Sequence, residues 1–308
     1  MTRTITELSR LRPLGDGPRT VALIAPAGAV LPERIEATCT LLRQMGYSPH
    51  LMPNARARHR YLAGTVEQRL ADFHAAFHLP NAAAVWCLRG GYGCAQLIDH
   101  IDWDRLPDVP LVGYSDISVL LSAFHARGRR ALHAPVATEL ALLEQALGPA
   151  HKARAESMAS IASVLKGCRG HMSATHVAGP EAEVSGTLIG GNLTTLASVA
   201  GTSGALHMPE RAILMLEDVG ERLYRLERSL CQLLDSLEPS RLSAVCLGSF
   251  TDCDTGDSSV EAMVQEWLAP HDIALYHQLP FGHGVHNQAW PVGRKAGLSS
   301  AGLDWHAC

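Results

Sequence analysis

The sequence predicts an α/β protein: a parallel sheet covered by helices on both faces, followed by a second, mixed domain rich in strands. Short, continuously apolar runs at 20–25 and 83–88 are typical of strands that are buried on both faces. Amphipathic helix patterns over 32–45 and 66–77 lie between such strands. This alternation of strand and helix is typical of a parallel sheet.

The pattern changes after residue 135. Two helices are predicted over 137–147 and 151–166, separated by Gly148-Pro149. From residue 182 onwards, predicted strands alternate with helices near 222–237 and 260–267. We therefore predict three parts: an N-terminal domain over 1–139, a helical linker region over 140–182 and a C-terminal domain over 183–308.

Composition and charge exclude several classes of function. The 308-residue chain is 47% hydrophobic with a formal net charge of -4, which offers no basic surface for nucleic acid or an anionic membrane. Residues 1–8 lack the apolar run of an export signal, and no stretch approaches the roughly 18 apolar residues of a membrane-spanning helix. The sequence thus favours a cytoplasmic protein with a small partner.

Neither a metal nor a cofactor is predicted. The eight cysteines form no C-x-x-C pair and mostly lie in apolar segments, which favours free, buried thiols. His283 and His286 stand three residues apart in a predicted loop, where they project to opposite faces, so a zinc site is not favoured. The glycine-rich stretch 89–93 matches neither the dinucleotide fingerprint nor the P-loop.

A candidate nucleophile lies at the predicted junction of a strand and a helix. Leu111 and Val112 end an apolar strand, and a helix begins near Asp116. On such a bend the Ser115 hydroxyl is exposed, and backbone N–H groups of the new helix face whatever binds there. Ser115 and Asp116 could equally serve as a helix cap, because the second glycine of the hydrolase elbow is absent.

Further candidates follow other predicted strands. Residues 89–93 hold three glycines, whose N–H groups suit an anion cradle, although a tight turn explains them as well. Glu217 ends an apolar run, where a carboxylate serves either catalysis or a helix cap. His283 is flanked by glycines in a way that suits a general base, yet it is one of sixteen histidines.

Six motifs in order over about 20–297 resemble those of the LD-carboxypeptidases, serine peptidases of murein tetrapeptides, and of their relatives that confer immunity to microcin C. The motifs are Arg89-Gly90-Gly91-Tyr92-Gly93, Gly113-Tyr114-Ser115-Asp116-Ile117-Ser118, His133-Ala134-Pro135, Gly190-Gly191-Asn192-Leu193, Leu216-Glu217-Asp218-Val219-Gly220-Glu221 and Gly282-His283-Gly284. The sequence departs from the family at Ala134, where glycine is usual, and at Val109, where lysine is common. These departures bear on substrate details rather than on the chemistry.

The resemblance implies Ser115 as nucleophile, His283 as base and Glu217 as the group that orients the imidazole. It implies a flavodoxin-like N-terminal domain that carries the serine, an active site in the cleft between the domains, and a homodimer. The backbone N–H groups of Gly91 and Asp116 are the candidate oxyanion donors. Four residues are candidate substrate contacts: Arg89, Tyr92, Asn192 and Arg225.

The favoured substrate, implied by the resemblance, is the cytoplasmic tetrapeptide L-Ala-γ-D-Glu-meso-diaminopimelate-D-Ala, cleaved before its terminal D-Ala during peptidoglycan recycling. One alternative is hydrolysis of a peptidyl-nucleotide antibiotic of the microcin C type. Residues 136–182 contain no Trp, Tyr or Phe to stack on a nucleobase, which favours the murein peptide. A second alternative is a non-catalytic module that holds an anion on residues 90–93.

Overall fold

The strands of the computed structural model, which describes residues 12–17, 19–181 and 183–305, form two sheets. Sequence-based expectations for residues 1–11 and for Cys308 lie outside these ranges. The strands are β1 (Thr20–Ile24), β2 (Ser48–Leu51), β3 (Ala82–Cys87), β4 (Leu111–Gly113), β5 (Ala131–His133), β6 (Gly170–Met172), β7 (Thr175–Ala178), β8 (Val184–Asn192), β9 (Ala212–Val219), β10 (Leu242–Thr251), β11 (Ala274–His277), β12 (Trp290–Val292), β13 (Lys295–Ser299) and β14 (Gly302–Trp305).

The first sheet has the order β12-β5-β4-β3-β1-β2. Its strands β1 to β5 are all parallel, so they follow the flavodoxin-like order 2-1-3-4-5. The apolar residues of β1, β3 and β4 are buried, as the continuous apolar runs predict for strands covered on both faces. The predicted parallel sheet is therefore confirmed.

Eight α-helices connect or cover the strands among the described residues. They are α1 (Pro32–Gln44), α2 (Val66–Phe77), α3 (Ser118–His125), α4 (Glu139–Gln145), α5 (Gly148–Leu165), α6 (Leu193–Ser198), α7 (Leu223–Asp235) and α8 (Val260–Leu268). Helix α2 shows how precisely a local sequence can set a boundary. The Thr65 hydroxyl accepts the Gln68 N–H, and the Gln68 side chain accepts the Thr65 N–H, which together form a capping box.

The second sheet is mixed and has the order β6-β14-β13-β8-β9-β10-β11-β7. Strands β8 to β11 are parallel to one another, whereas the strands on either side of them are antiparallel. Helices α6, α7 and α8 bury their apolar faces on a second core that includes β9 and β10. The predicted second domain of mixed strands is confirmed.

The chain departs from the predicted three-part division in two places. Helices α4 and α5 occupy most of the linker region, but β6 and β7 in its last third belong to the second sheet. Strand β12 returns from the C-terminal part and pairs with β5 of the first sheet. These strands are three or four residues long, so they carry too few residues for an alternating apolar pattern, and tertiary pairing alone defines them.

One contact brings the two sheets together beside the end of β4. The backbone N–H of Asn192, at the end of β8, donates to the hydroxyl of Ser118, the first residue of α3, over 3.1 Å. Gly191 has φ 142°, and a Cβ there would lie 2.3 Å from the same hydroxyl oxygen. Glycine is therefore required for the close approach of the sheets.

Other global expectations concern thiols and membranes. Of the seven cysteines within the described ranges, all are free; Cys39, Cys87, Cys94 and Cys246 are buried, but Cys168 is exposed. Buried thiols were thus predicted correctly for these four and wrongly for Cys168, which follows a helix end at the surface.

None of the helices in the described ranges is long and apolar enough to span a bilayer.

The second core provides a test of this packing. Leu230 on α7 is fully buried in it, so Leu230→Ala should lower the free energy of unfolding by about 2–5 kcal/mol through lost apolar contact and the cavity left behind. Urea denaturation followed by circular dichroism measures this change. Leu147→Ala removes the same atoms from a side chain that is 84% exposed and should change stability by less than about 0.5 kcal/mol. Equal effects of the two substitutions would contradict the assigned packing.

Candidate active site

A cavity of about 680 Å³ lies where the carboxyl end of the first sheet faces the second domain. Its walls include the loop after β3, the turn after β4 and the loop after β11, and they bring Gly91, Ser115 and His283 together. The carboxyl ends of parallel strands are the usual place for ligands in sheets of this kind. The expected grouping of these residues in a cleft between domains is therefore what the structure has.

Ser115 occupies a strained turn. It follows β4, begins the 3-10 turn Ser115–Ile117 that leads into α3, and has φ 66°. For a residue with a side chain this left-handed conformation costs on the order of 1–3 kcal/mol, and such strain is typical of functional turns. Neither Ser115 nor Asp116 caps the helix with its side chain; the Asp116 carboxylate accepts the Cys94 N–H at 2.9 Å instead. The strand–turn–helix arrangement suits a nucleophile elbow.

The glycine loop after β3 packs directly on this turn. A Cβ at Gly90 would lie 2.8 Å from the Ser115 hydroxyl oxygen and 3.2 Å from the Asp116 nitrogen. Gly91 has φ 110°, and its N–H makes no hydrogen bond with another described residue. The N–H of Asp116 lies in the first turn of a helix, where no earlier turn supplies an acceptor. Both N–H groups are thus unpaired among the described residues, and Gly91 and Ser115 line the same cavity.

Glu217 and His283 form a hydrogen-bonded pair. Oε2 of Glu217 accepts the ring N–H of His283 at Nδ1 over 2.7 Å and its backbone N–H over 3.1 Å. Glu217 is fully buried and the His283 side chain is 17% exposed. Burial acts to lower the pKa of His283, but the hydrogen bond and charge of Glu217, with Asp218 and Glu139, raise it above its usual 6.5. The carboxylate therefore holds the imidazole with its other nitrogen, Nε2, free.

Asp218, the next residue of β9, points to the other face of the strand. Its carboxylate accepts hydrogen bonds from the Asn192 side chain at 3.0 Å, from the N–H and hydroxyl of Thr194 at 2.8 and 2.7 Å, and from the Val219 N–H at 2.9 Å. Asp218 thus helps to secure the start of α6, whose N-cap is Asn192, whereas the helix that follows Glu217, α7, has no side-chain cap, so Glu217 does not cap it. The hydrogen-bond partner of Glu217 is His283.

The loop that carries His283 is held by residues that sequence reasoning missed. Gly282 has φ 102°, and a Cβ there would lie 2.7 Å from both Cβ and Oε2 of Glu217, so only glycine fits. The Ser249 hydroxyl accepts the Gly284 N–H at 3.0 Å, and the Asn287 side chain accepts the Gly282 N–H at 3.0 Å. The glycines that flank His283 were the only signal of this constraint in the sequence.

Aromatic side chains form the wall behind His283. The Tyr114 ring lies 4.7 Å from the His283 ring, and the buried His133 lies between Tyr114 and a stacked Trp290. Burial, with a smaller contribution from His283, lowers the pKa of His133 to about 3, so this ring stays neutral. His133 thus adds bulk but no charge beside the base.

In this structure the Ser115 hydroxyl makes no hydrogen bond with His283, although both line the cavity.

The candidate substrate contacts separate into two groups. Arg89 lines the cavity, together with Arg34 and Arg154, which the sequence did not single out. The other three candidates are not among its lining residues. Arg225 is exposed and pairs with Glu221 at 3.4 Å, Asn192 is buried against Asp218, and Tyr92 packs edge-on against Tyr61 with half of its surface exposed.

No group of three or more His, Cys, Asp or Glu side chains with metal-binding geometry occurs in the described part of the chain. What the site contains is a hydroxyl, a carboxylate-bound imidazole and two free backbone donors. Such a set suits acyl transfer to a serine.

The close packing of Gly90 on the serine can be tested. We expect Gly90→Ala to lower the reactivity of Ser115 by about 100-fold or more, because its methyl group displaces the hydroxyl by a substantial fraction of an ångström. The rate of labelling by a fluorophosphonate probe measures this reactivity. Gly17→Ala is the control, since a Cβ there meets nothing within 4 Å. Equal labelling rates for both variants would show that the loop does not constrain the hydroxyl.

Comparison with known proteins agrees with this geometry. The profile of the LD-carboxypeptidase N-terminal domain matches residues 21–134, and that of the C-terminal domain matches residues 185–298. The murein tetrapeptide carboxypeptidase of Pseudomonas aeruginosa is 51% identical over 290 residues, covering 92% of this chain and 94% of that protein.

Two solved structures extend the comparison. The muramoyltetrapeptide carboxypeptidase of Oxalobacter formigenes superimposes with a TM-score of 0.80 at 28% identity, over 93% of this chain and 98% of that one. The microcin C7 self immunity protein MccF in complex with glutamyl sulfamoyl guanosine superimposes with a TM-score of 0.82, over 96% and 97% of the chains; at 17% identity it shows only the shared fold. The chain therefore belongs to the LD-carboxypeptidase family, and it is a carboxypeptidase.

Proposed function

We propose that the protein removes the terminal D-Ala from the murein tetrapeptide L-Ala-γ-D-Glu-meso-diaminopimelate-D-Ala through a Ser115-His283-Glu217 triad. The observation that carries the proposal is that a serine in a strained turn and an imidazole bound to a buried carboxylate line one cavity. The high identity to a murein tetrapeptide carboxypeptidase supports the choice of substrate.

Acylation begins when Ser115 Oγ attacks the carbonyl carbon of diaminopimelate and its proton passes to His283 Nε2. The tetrahedral intermediate collapses by breaking the C–N bond, and His283 returns the proton to the amine of the departing D-Ala. Water then attacks the ester, again giving a proton to His283, and Ser115 leaves with that proton. Glu217 keeps the imidazole in the required tautomer and stabilises the imidazolium.

The negative oxygen of each tetrahedral intermediate requires donors that are in place beforehand. The N–H groups of Gly91 and Asp116 are suited to this role, because neither is paired with a described residue, Gly91 lines the same cavity as Ser115, and Asp116 is the next residue after the serine. The loss of one such donor typically costs about 3 kcal/mol of transition-state stabilisation. The proposed oxyanion hole explains why glycines follow β3 and why a helix begins directly after the serine.

The proposed reaction requires Ser115 and His283 to move within hydrogen-bonding distance, and such contacts often tighten only when substrate binds. His283 belongs to the loop after β11 and Ser115 to the first sheet, so relative movement of the domains would control their distance. We further infer from the family resemblance a cytoplasmic homodimer that acts in peptidoglycan recycling.

Release of D-Ala from purified tetrapeptide is the first measurement. Ser115→Ala should abolish it, and Glu217→Gln should lower kcat by about 10³- to 10⁴-fold because an amide favours the wrong imidazole tautomer. Ser198→Ala is the matched control, since its exposed hydroxyl bonds only the Thr195 carbonyl. Release of D-Ala that persists in Ser115→Ala would exclude Ser115 as the nucleophile. A wild type inactive on the tetrapeptide but active on peptidyl-adenylate analogues would instead support the antibiotic hydrolase.

The pH dependence follows from the raised pKa of His283. The base must be neutral to accept a proton, so kcat/KM should fall as the pH drops through a midpoint that lies above 6.5. The ring of His283 can be titrated independently by NMR in Ser115→Ala, where no turnover occurs. Glu217→Gln should shift this midpoint downwards, because it removes the neighbouring carboxylate that favours the protonated ring. A midpoint below 6.5 in the wild type would contradict the proposed electrostatics.

A further inference from the structure

The cavity wall contains a second buried pair of opposite charges, outside the triad. Arg154 on α5 and Glu139 at the start of α4 both line the cavity, with side chains only 23% and 12% exposed. Their nearest charged atoms are 3.7 Å apart. This distance gives electrostatic attraction, but it exceeds the 2.7–3.2 Å that is typical of an N–H···O hydrogen bond.

Both members of the pair have hydrogen-bonding capacity that the described residues leave unfilled. The guanidinium of Arg154 donates no hydrogen bond there, although it carries five N–H groups. Oε1 of Glu139 is buried without a partner. Charged groups removed from water are costly unless hydrogen bonds compensate. For Arg154, a ligand carboxylate that accepts two N–H groups of the guanidinium would supply that compensation.

The other two arginines of the cavity differ from Arg154. Arg89 is exposed and already donates to the Ala29 carbonyl at 2.7 Å. Arg34 is exposed on the first turn of α1. Arg154 alone among the three is mostly buried and held beside a carboxylate, so its position costs less conformational entropy on binding.

Arg154 is also connected to the nucleophile. The hydroxyl of Tyr114 and the charge of Arg154 both act on the Glu139 carboxyl, opposing the rise of its pKa that burial causes. Tyr114 directly precedes Ser115. Tyr114, Glu139 and Arg154 line the same cavity as Ser115, so a peptide bound at Ser115 in this cavity meets Arg154 on its wall.

We propose that Arg154 binds a carboxylate of the peptide substrate and that Glu139 positions its guanidinium. The inference rests on the proposed function and adds a specificity determinant to it. Two carboxylates of the tetrapeptide lie near the scissile bond: that of the terminal D-Ala and that on the side chain of diaminopimelate. Both present the same planar pair of oxygens to the guanidinium.

The test compares three peptides: the tetrapeptide, its C-terminal alaninamide, and the analogue with lysine in place of diaminopimelate. The first analogue removes the terminal carboxylate and the second removes the side-chain carboxylate. In the wild type, loss of the bound carboxylate should lower kcat/KM by about 10- to 100-fold. Arg154→Gln should lower kcat/KM for the intact tetrapeptide by a similar factor. The variant should then no longer distinguish the tetrapeptide from the analogue that lacks that carboxylate.

The controls separate binding from folding. Lys152→Gln removes one positive charge from the same helix at an exposed pair with Glu156 and should leave all three rates unchanged. Arg154→Lys keeps a charge beside Glu139, so it should fold as the wild type does and retain only part of the discrimination. Glu139→Gln should raise KM, as expected of a residue that positions a binding group, while kcat measured above the titration midpoint of His283 is kept. Fluorophosphonate labelling of Ser115 should be unchanged in both Arg154 variants and in Lys152→Gln.

Two outcomes overturn the proposal in distinguishable ways. An active wild type whose discrimination among the three peptides survives in both Arg154 variants would exclude Arg154 as the carboxylate site and leave the proposed function intact. A wild type that releases no alanine or alaninamide from any of the peptides would exclude the proposed function, and this assignment with it.

Discussion

The hydrogen bond from the Asn192 N–H to the Ser118 hydroxyl joins the two sheets at the point on which the site depends. Ser118 begins α3, three residues after Ser115. Asn192 is the register partner of Glu217 in the parallel pair of β8 and β9. One contact therefore fixes the turn of the nucleophile relative to the carboxylate strand. Gly191 makes that contact possible, because it has no side chain to keep the end of β8 away from Ser118. The packing of the two domains therefore also determines the geometry of the site.

The electrostatics of the site follow from the alternation of side chains along β9. Glu217 and Asp218 are adjacent in sequence but face opposite sides of the strand, and Asp218 is saturated by Asn192, Thr194 and Val219. It contributes negative potential without competing for His283. The neutral His133 adds none. The result is an imidazole that is stabilised when protonated and has a single carboxylate to define its orientation.

Sequence alone predicts much of this arrangement, since the relevant residues follow apolar runs. The apolar runs before Ser115 and Glu217 predict their places, just after β4 and near the end of β9, and the alternation of strand and helix predicts the first sheet. The short strand β12 could not be predicted, since three residues show no period and its pairing with β5 depends on Trp290 stacking on His133. The positive φ of Ser115 could not be predicted either. The sequence motif of a hydrolase elbow has a second glycine after the serine, and this chain lacks it.

The Arg154–Glu139 pair was missed for a different reason. Its members lie in separate helices, with Glu139 at the end of the predicted N-terminal domain and Arg154 in the predicted linker region, and only the folding of α4 and α5 along the cleft brings both to the cavity. The chemistry of the site is thus set by strand ends and tight glycine turns, which leave a signal in sequence. The proposed carboxylate site depends instead on a cation on a helix, Arg154, and in sequence such an arginine resembles any solvated charge.

The side chains that line the cavity bear on the class of ligand that it suits. Among the described residues that line the cavity, Tyr114 is the sole Trp, Tyr or Phe, and it is largely buried against His283. A nucleobase needs an exposed aromatic face on which to stack. Three arginines instead give the cleft donors that match carboxylates. A short peptide with several carboxylates can use such donors, but so can the phosphate of a nucleotide, so it is the lack of an exposed aromatic face, rather than the arginines, that favours the peptide.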